Sequence, residues 1–301
     1  MLDYHVHLWP HEDKATEREL TVERLSEYCE EASKRGVREI ALTEHLFRFR
    51  RGREIVEGFW ADEPDEALRE YMAAYFDHHA TADLDLYMET VDQAKAAGLP
   101  VVAGLEVDYY PGRMDRVASL LDGYPFDVLL GSIHWLGTWM FDLIDSPVQQ
   151  REWDSRGIEH AWRAYGQALE ELAATRTTDV LAHPDLVKVA GRRPDSGVVR
   201  EVETRIAEAA ATSGMAAEIS SAGLLKPARE AFPSKSLLQR FSDLAVPVTT
   251  ASDTHGISRI ALDVRHLHDA ASMAGYVSLR AFSARVGYDV ELGPVPPELS
   301  K

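Results

Sequence analysis

Cysteine is almost missing from this 301-residue sequence, which contains only Cys29. A single cysteine excludes an intrachain disulfide and a metal cluster held by several thiolates. Long apolar runs are missing as well, since no stretch reaches the roughly 20 residues that a membrane-spanning helix needs. The first residues lack the basic and apolar regions of a secretion signal. We therefore expect a soluble, cytoplasmic protein with no membrane partner.

Positive charge is also scarce. The sequence has 32 Lys and Arg against 50 Asp and Glu, which gives a formal net charge of −18 at pH 7. Such an acidic surface repels phosphate backbones and anionic lipids, so extended nucleic acid is excluded as the main partner. A small phosphorylated substrate held locally by metal ions is compatible with this charge. The composition gives no indication of an oligomeric state.

Seven short apolar segments alternate with helix-like segments along the chain. The apolar segments are residues 2–8, 37–43, 100–107, 126–133, 179–182, 215–219 and 246–250. This alternation predicts a parallel α/β fold in a single domain over residues 1–301. Candidate functional residues follow at least six of these segments. A closed barrel of the TIM type fits them better than an open sheet, whose outer strand ends would lie far apart.

Three stretches do not follow the alternation. Residues 46–66 are charged and aperiodic, with two glycines and a proline, which predicts a loop insertion over one face. Residues 67–97 are predicted to be helical, with a break near 80–85. A tryptophan-rich loop over 135–153 either lines a substrate pocket or packs onto the rim of the barrel. The tail from Asp269 onwards shows no clear pattern.

Histidines are concentrated at the ends of the predicted strands. A lone histidine is usually a surface or hydrogen-bonded core residue, but repetition after consecutive strands is hard to explain as core filler. Imidazole and carboxylate together suit zinc, manganese or iron. Because the candidates exceed the roughly four ligands of one zinc site, we expect two or three divalent metal ions. The candidate ligands are His5, His7, His11, His45, Glu106, His134, His183, Asp253 and His255.

The ordered set of motifs resembles the PHP (polymerase and histidinol phosphatase) superfamily, specifically the PHP-type histidinol-phosphate phosphatases. The likeness runs nearly end to end and implies a distorted (β/α)7 barrel of the PHP type with three metals. The Gly104-Leu-Glu106-Val-Asp-Tyr and Gly223-Leu-Leu-Lys226-Pro segments favour the histidinol-phosphatase branch. The other matching motifs are His5-Val-His7, Pro10-His11, Thr43-Glu44-His45, Leu130-Gly-Ser-Ile-His134, Ala182-His183-Pro and Ser252-Asp-Thr-His255.

The resemblance also implies how the ligands are shared. His5, His7, Glu106 and Asp253 would hold one metal, and Glu106 would bridge to a second metal held by His134 and His183. The third metal would be held by His11, His45 and His255. The loop between His7 and His11 is shorter than is usual in the family, which leaves Asp13 as an alternative to His11.

The activity implied by the resemblance is hydrolysis of L-histidinol phosphate, a step of histidine biosynthesis, through a hydroxide that bridges two metals. Asp253 and His255 are the candidate catalytic residues. Asp253 either orients the hydroxide, or protonates the leaving alkoxide, or serves only as a metal ligand.

Substrate-binding residues are predicted from charge and position. Lys226 and Lys188 follow two strands on the functional face and are candidates for the phosphate, with Arg113 and Arg259 less well placed. Glu218 is the candidate for the amino group of histidinol, and Asp185 is an alternative. Each of these lysines and arginines could instead be solvated, and each carboxylate could instead support a metal-bound histidine.

Three other functions remain open at this stage. The same chemistry could act on another small phosphate ester or a nucleotide. A non-catalytic metal-binding PHP module is disfavoured by the complete ligand set. A metal-dependent amidohydrolase on a related barrel would carry a bridging lysine after a middle strand, where this sequence has Glu106.

Overall fold

The computed structural model describes residues 1–293, and it consists of a barrel of parallel strands surrounded by helices. The strands are β1 (Leu2–Val6), β2 (Glu39–Leu42), β3 (Val101–Asp108), β4 (Val128–Ser132), β5 (Trp135–Leu136), β6 (Trp139–Met140), β7 (Val180–Leu181), β8 (Ala216–Ser220), β9 (Val248–Ala251), β10 (Ser278–Ser283) and β11 (Val286–Glu291). The helices are α1 (Val22–Lys34), α2 (Arg50–Val56), α3 (Glu66–His79), α4 (Leu84–Ala96), α5 (Met114–Leu121), α6 (Pro147–Arg156), α7 (Ile158–Thr175), α8 (Ser196–Ser213), α9 (Lys235–Asp243) and α10 (Val264–Met273).

Seven strands form one parallel sheet in the order β1-β2-β3-β4-β7-β8-β9. The sheet nearly closes, because Val6 at the end of β1 pairs with Thr254 just after β9. The His7 N–H donates to the Thr254 carbonyl oxygen at 2.8 Å. The Thr250 hydroxyl donates to the Leu2 carbonyl oxygen at 2.7 Å. The predicted fold class, a distorted (β/α)7 barrel, is thus confirmed.

The barrel strands are buried on both faces, and the helices cover them with apolar stripes. Helix boundaries follow the local sequence. Asp65 and Asp83 cap the starts of α3 and α4 by accepting backbone N–H groups, and Gly214 ends α8 in the left-handed region. The predicted helix break near residues 80–85 is confirmed. Over residues 1–293, no helix combines the length and the apolar character needed to cross a membrane.

The segment 46–66 differs from the predicted irregular loop. Residues Leu46–Arg48 form a 3-10 turn and Arg50–Val56 form α2, followed by turns as far as α3. Gly52 lets α2 pack onto the 3-10 turn, since a Cβ at this position would collide with the Leu46 carbonyl oxygen. A glycine inside a short charged segment indicated a loop, but tertiary contact decides its conformation.

The chain after Asp269 also acquires a structure that the sequence did not predict. It completes α10 and forms the antiparallel hairpin β10–β11. The hairpin turn lies at the amino end of the barrel strands, where the Arg285 N–H donates to the Asp127 carbonyl oxygen at 2.8 Å. Residues 294–301 of the single domain predicted over 1–301 lie outside the described residues.

The tryptophan-rich segment packs onto the barrel rim. Trp139 and Trp153 are fully buried and lie edge to face with ring centroids 5.0 Å apart. Their indole N–H groups donate to the carbonyl oxygens of Gln149 and Phe141, at 2.9 and 3.1 Å. With their polar atoms satisfied inside the protein, these rings support the rim and do not line the cleft described below.

Candidate metal centre

The predicted ligands converge at the carboxyl ends of the barrel strands. Parallel strands place these ends at one mouth of the barrel, so residues far apart in sequence become neighbours. His5 lies in β1 and Glu106 in β3, and the remaining residues follow strands in the connecting loops. These remaining residues are His7 and His11 after β1, His45 after β2, His134 after β4, His183 after β7, and Asp253 and His255 after β9.

Glu106 occupies the centre of this cluster, and each of its two carboxylate oxygens faces a different set of imidazoles. Its Oε2 faces nitrogens of His45 at 2.8 Å, His5 at 3.2 Å and His7 at 3.5 Å. Its Oε1 faces nitrogens of His183 at 2.9 Å and His134 at 3.4 Å. This is the arrangement expected of a carboxylate that bridges two cations.

Asp253 follows β9, which adjoins β1, and lies close to two imidazoles of the first set. Its Oδ1 lies 3.7 Å from His5 Nε2 and 3.6 Å from His7 Nε2. The backbone of Asp253 lies in the left-handed region at a φ of 50°, and His183 has a φ of 27°. Such conformations are unfavourable for residues other than glycine and concentrate at functional sites. Here they turn the chain sharply after a strand, so that the side chain points into the mouth.

His11, His45 and His255 form a third group. His255 Nε2 lies 3.4 Å from His45 Nε2, and the rings of His11 and His255 are 4.5 Å apart between centroids. Asp13, the alternative to His11, is exposed, and its backbone carbonyl accepts a hydrogen bond from Arg48 at 3.1 Å. The structure therefore brings His11, and not Asp13, beside the other two imidazoles.

Several buried polar atoms in the cluster have no hydrogen-bond partner among the described residues. They are His5 Nε2, His7 Nε2, His45 Nδ1, Glu106 Oε2 and His183 Nδ1. Leaving such atoms unsatisfied is costly, about 1–3 kcal/mol each. Within residues 1–293, His5, His7 and Glu106 offer ligand atoms that all lie within 4.8 Å of one another, and His45, Glu106 and His134 do the same. A divalent cation would satisfy these atoms together.

A second set of carboxylates orients the imidazoles. Glu218 Oε2 lies 2.7 Å from His5 Nδ1, and Asp108 Oδ1 lies 2.7 Å from His134 Nδ1. Such contacts fix the ring and the tautomer of a metal-binding histidine. Of the two roles predicted for Glu218, this contact agrees with support of a candidate metal-binding histidine and not with binding of the substrate amine. Sequence reasoning missed Asp108, although its spacing of two from Glu106 on one strand places both on the same face.

Glu44 supports the neighbouring imidazole in a similar way. Its Oε2 lies 3.4 Å from His7 Nδ1, while Oε1 accepts the backbone N–H groups of Leu8 at 2.5 Å and Trp9 at 3.1 Å. The fully buried Arg48 lies 3.8 Å from Glu44 and also donates to the Pro10 carbonyl at 2.9 Å. Together these groups position the loop that carries His11.

The electrostatics of the cluster follow from burial and close carboxylates. Burial opposes a charge on His5, but Glu218 and Glu106 outweigh burial and hold the pKa of His5 well above its ordinary value. Burial likewise opposes a charge on His134, whereas Asp108 and Glu106 raise its pKa to about 10. Burial also opposes ionisation of Glu106, but the imidazoles prevail and lower its pKa well below its usual range. A bound cation would replace the protons on these imidazoles.

The mouth of the barrel opens into a cleft of about 270 Å³ beside the cluster. Lys226 and Arg259 line this cleft, and both are exposed. Arg259 is thus better placed than its sequence position indicated. The cleft is also lined by Asp142, which sequence reasoning missed because the surrounding loop has no periodic pattern.

Two predicted phosphate ligands lie elsewhere. Lys188 is fully buried, and its Nζ lies 2.8 Å from Asp185 Oδ2 and 3.1 Å from Glu230 Oε2. Its charge is therefore neutralised within the protein. Arg113 donates to the Ile55 carbonyl at 3.0 Å and does not line the cleft. Both predictions are corrected, because neither side chain lines the cleft and each makes a structural contact instead.

Comparison with known proteins agrees with this geometry. The sequence profile of the PHP domain matches residues 19–222. The chain is 28% identical over 229 residues to a "probable histidinol-phosphatase" of Deinococcus radiodurans. The matched region covers 76% of this chain and 79% of that protein. The fold is similar to the crystal structure of histidinol phosphate phosphatase from Lactococcus lactis, complexed with zinc, L-histidinol and phosphate. That match has a TM-score of 0.71 and 22% identity and covers 95% of this chain and 98% of the other.

Proposed function

The chain belongs to the PHP family, and on this premise we propose that it is a metal-dependent phosphomonoesterase whose substrate is L-histidinol phosphate. The observation that carries the proposal is the position of Glu106, whose two oxygens face separate sets of imidazole nitrogens. The names of the relatives described above support the substrate. The acidic chain, at −18, also disfavours an extended nucleic acid.

The donor set fits two or three divalent ions of zinc, manganese or iron, because buried imidazoles and carboxylates face one another with unsatisfied atoms. When bound, such ions supply Lewis-acid stabilisation of a phosphoryl group and make water more acidic. Glu106 would be shared between two ions. Its partners would be His5, His7 and Asp253 on one side and His134 and His183 on the other, while His11, His45 and His255 would hold a third ion.

The remaining groups of the mouth bind and orient the substrate. Lys226 and Arg259 place positive charge in the cleft, where charge-assisted hydrogen bonds would hold the phosphate oxygens. Phosphoryl transfer depends mainly on positioning and charge stabilisation, so no protein nucleophile is required. Asp253 lines the same cleft and is our candidate to take a proton from the attacking water and return it to the leaving alkoxide.

The first test is phosphate release from L-histidinol phosphate by protein loaded with manganese or zinc, beside a panel of small phosphomonoesters and nucleotides. We expect kcat/KM for histidinol phosphate to exceed that of the other esters, and a chelator to abolish activity. Equal weak activity on the whole panel would retain a phosphoesterase and reject the substrate. No release from any ester by metal-loaded protein would reject the function.

Asp253→Asn separates a chemical role from simple metal binding. The exchange preserves size and one oxygen but removes the proton acceptor. We expect kcat to fall at least about 100-fold, a loss typical of a missing general acid–base group, in protein that retains its full metal content by elemental analysis. Retained activity at full metal content would contradict the chemical role.

A further inference from the structure

Asp142 is a carboxylate in the cleft that the metal centre does not use. It follows β6 and lines the cleft together with His134, His183 and Lys226. Its Oδ1 atom is buried and has no hydrogen-bond partner among residues 1–293. Within the same part of the chain, no Lys, Arg or His lies within ion-pair distance of it. A buried carboxylate oxygen in this condition is costly unless a ligand satisfies it.

The other buried carboxylates near the mouth already contact groups of the protein. Glu218 holds His5, and Asp108 holds His134. Asp185 pairs with Lys188 and accepts the Ser234 N–H at 2.8 Å. Asp108 Oδ2 and Asp185 Oδ1 also lack a partner, but among these carboxylates Asp142 alone lines the cleft, where a ligand could reach its unsatisfied oxygen. Its position therefore suits recognition of a cationic group on the ligand.

A second cavity of about 340 Å³ adjoins the cleft on this side. The two cavities share His11, Glu12 and Leu143, the last of which directly follows Asp142. Tyr71 and Tyr75 contribute aromatic walls. A ligand whose phosphate lies at the metal centre thus has room to extend past Asp142, and aromatic walls suit a planar ring.

From these observations we propose that Asp142 is a specificity-determining residue that binds the ammonium group of the alcohol portion of the substrate. The proposal rests on the proposed phosphomonoesterase function and names the charge that its substrate carries. A phosphate ester with an amine near its ester oxygen would bridge Lys226 and Arg259 on one side and Asp142 on the other. An uncharged ester of equal size would leave the buried Asp142 oxygen unsatisfied.

The test compares O-phosphoethanolamine with propyl phosphate, in which a methyl group replaces the ammonium group. The quantity measured is the ratio of their kcat/KM values, or of their Ki values against p-nitrophenyl phosphate. We expect the wild-type protein to favour the amine, and Asp142→Asn to lower this ratio at least about 10-fold, as for a lost hydrogen bond between charged groups. A general loss of metal or of folding affects both esters equally and cancels in the ratio.

Asp122→Asn is the matched control, because it removes the same charge from an exposed position that lines neither the cleft nor the adjoining cavity. We expect its ratio to stay within about 2-fold of wild type, as for an exposed charge. Calorimetric binding of L-histidinol gives a second readout and should weaken at least about 10-fold in Asp142→Asn only. A wild-type ratio near one, or a ratio that Asp142→Asn does not change, would overturn the proposal. Failure to hydrolyse histidinol phosphate would instead reject the proposed function, since the ratio is measured on other esters.

Discussion

The two ends of the barrel differ in how their buried charged groups are paired. At the amino end, Asp127 accepts hydrogen bonds from Lys95 at 2.7 Å and from the Ala103 N–H at 2.9 Å. Asp179 accepts the Leu129 N–H at 2.8 Å and pairs with Arg285 at 2.9 Å. At the carboxyl end, imidazoles and carboxylates face one another with polar atoms that lack partners in the described chain.

The difference shows which polar groups serve the fold and which serve a ligand. Carboxylates at the amino end bind backbone N–H groups of neighbouring strands and the C-terminal hairpin, so they stabilise the barrel with no further partner. At the carboxyl end, Glu106 and its imidazoles are buried at a cost that a bound cation would offset. Changes at the two ends should therefore have separable effects on activity and on stability.

The largest expected effect comes from Glu106→Gln. A neutral amide cannot bridge two cations, so we expect metal content to fall and kcat/KM to drop by more than about 100-fold, beyond the usual effect of an outer partner. Elemental analysis and phosphate release measure the two quantities. Full metal content together with wild-type activity would show that Glu106 is not shared between ions.

Removing the metal should lower the stability of the folded chain. A cation that binds only the folded chain stabilises it by about 2.7 kcal/mol when its free concentration is 100 times Kd. We therefore expect a chelator to lower the Tm, and added zinc or manganese to restore it. An unchanged Tm after verified removal of metal would contradict a site that depends on a cation.

Glu218→Gln tests whether Glu218 orients His5 or binds the substrate. If Glu218 orients His5, the variant should lose about 10- to 100-fold in metal affinity, while KM at saturating metal stays near the wild-type value. Competition with a chromogenic chelator measures the affinity. A large rise in KM with unchanged metal affinity would instead restore Glu218 as a substrate ligand.

The smallest effect is expected at the amino end. Arg285→Ala removes a half-exposed ion pair and a hydrogen bond to the Thr177 carbonyl, at a cost of about 1 kcal/mol in the free energy of unfolding. Activity at saturating metal should not change. Arg280→Ala is the control, because its partner Asp289 is well exposed, and it should cost less than about 0.5 kcal/mol. If both variants lose the same free energy of unfolding in urea, the network around Arg285 contributes no more to stability than an exposed ion pair does.

The sequence predicted the barrel and the cluster because both rest on local, repeated signals. Histidines or carboxylates lie at or shortly after the ends of at least six of the seven apolar segments, and parallel strands bring such ends together. The same reasoning did not decide the roles of Lys188 and Glu218. Lys188 is paired both by the nearby Asp185 and by Glu230 from another segment, and the partner of Glu218, His5, comes from the first strand. Chain position shows that a charged residue is near the mouth, but not whether another residue already neutralises it.

Segments without periodicity were the other source of error. Helix α2 depends on the contact between Gly52 and Leu46, and the C-terminal hairpin depends on Asp127 and Asp179 at the amino end. Neither contact leaves a pattern in the local sequence. For the same reason Asp142 was overlooked and Arg259 was ranked below the two lysines, since loops acquire their direction from tertiary packing.

The nearly closed barrel also sets the order in which the cluster can be assembled. His5 lies in the first barrel strand and His7 directly follows it, whereas their neighbours Asp253 and His255 follow the last barrel strand. Most of the described chain therefore lies between the two pairs of residues. Contacts of such long sequence separation form late in folding because they require closure of large loops. A chain still emerging from the ribosome would hold His5, His7 and Glu106 long before Asp253 exists. High-affinity metal binding would therefore occur only after the barrel is complete.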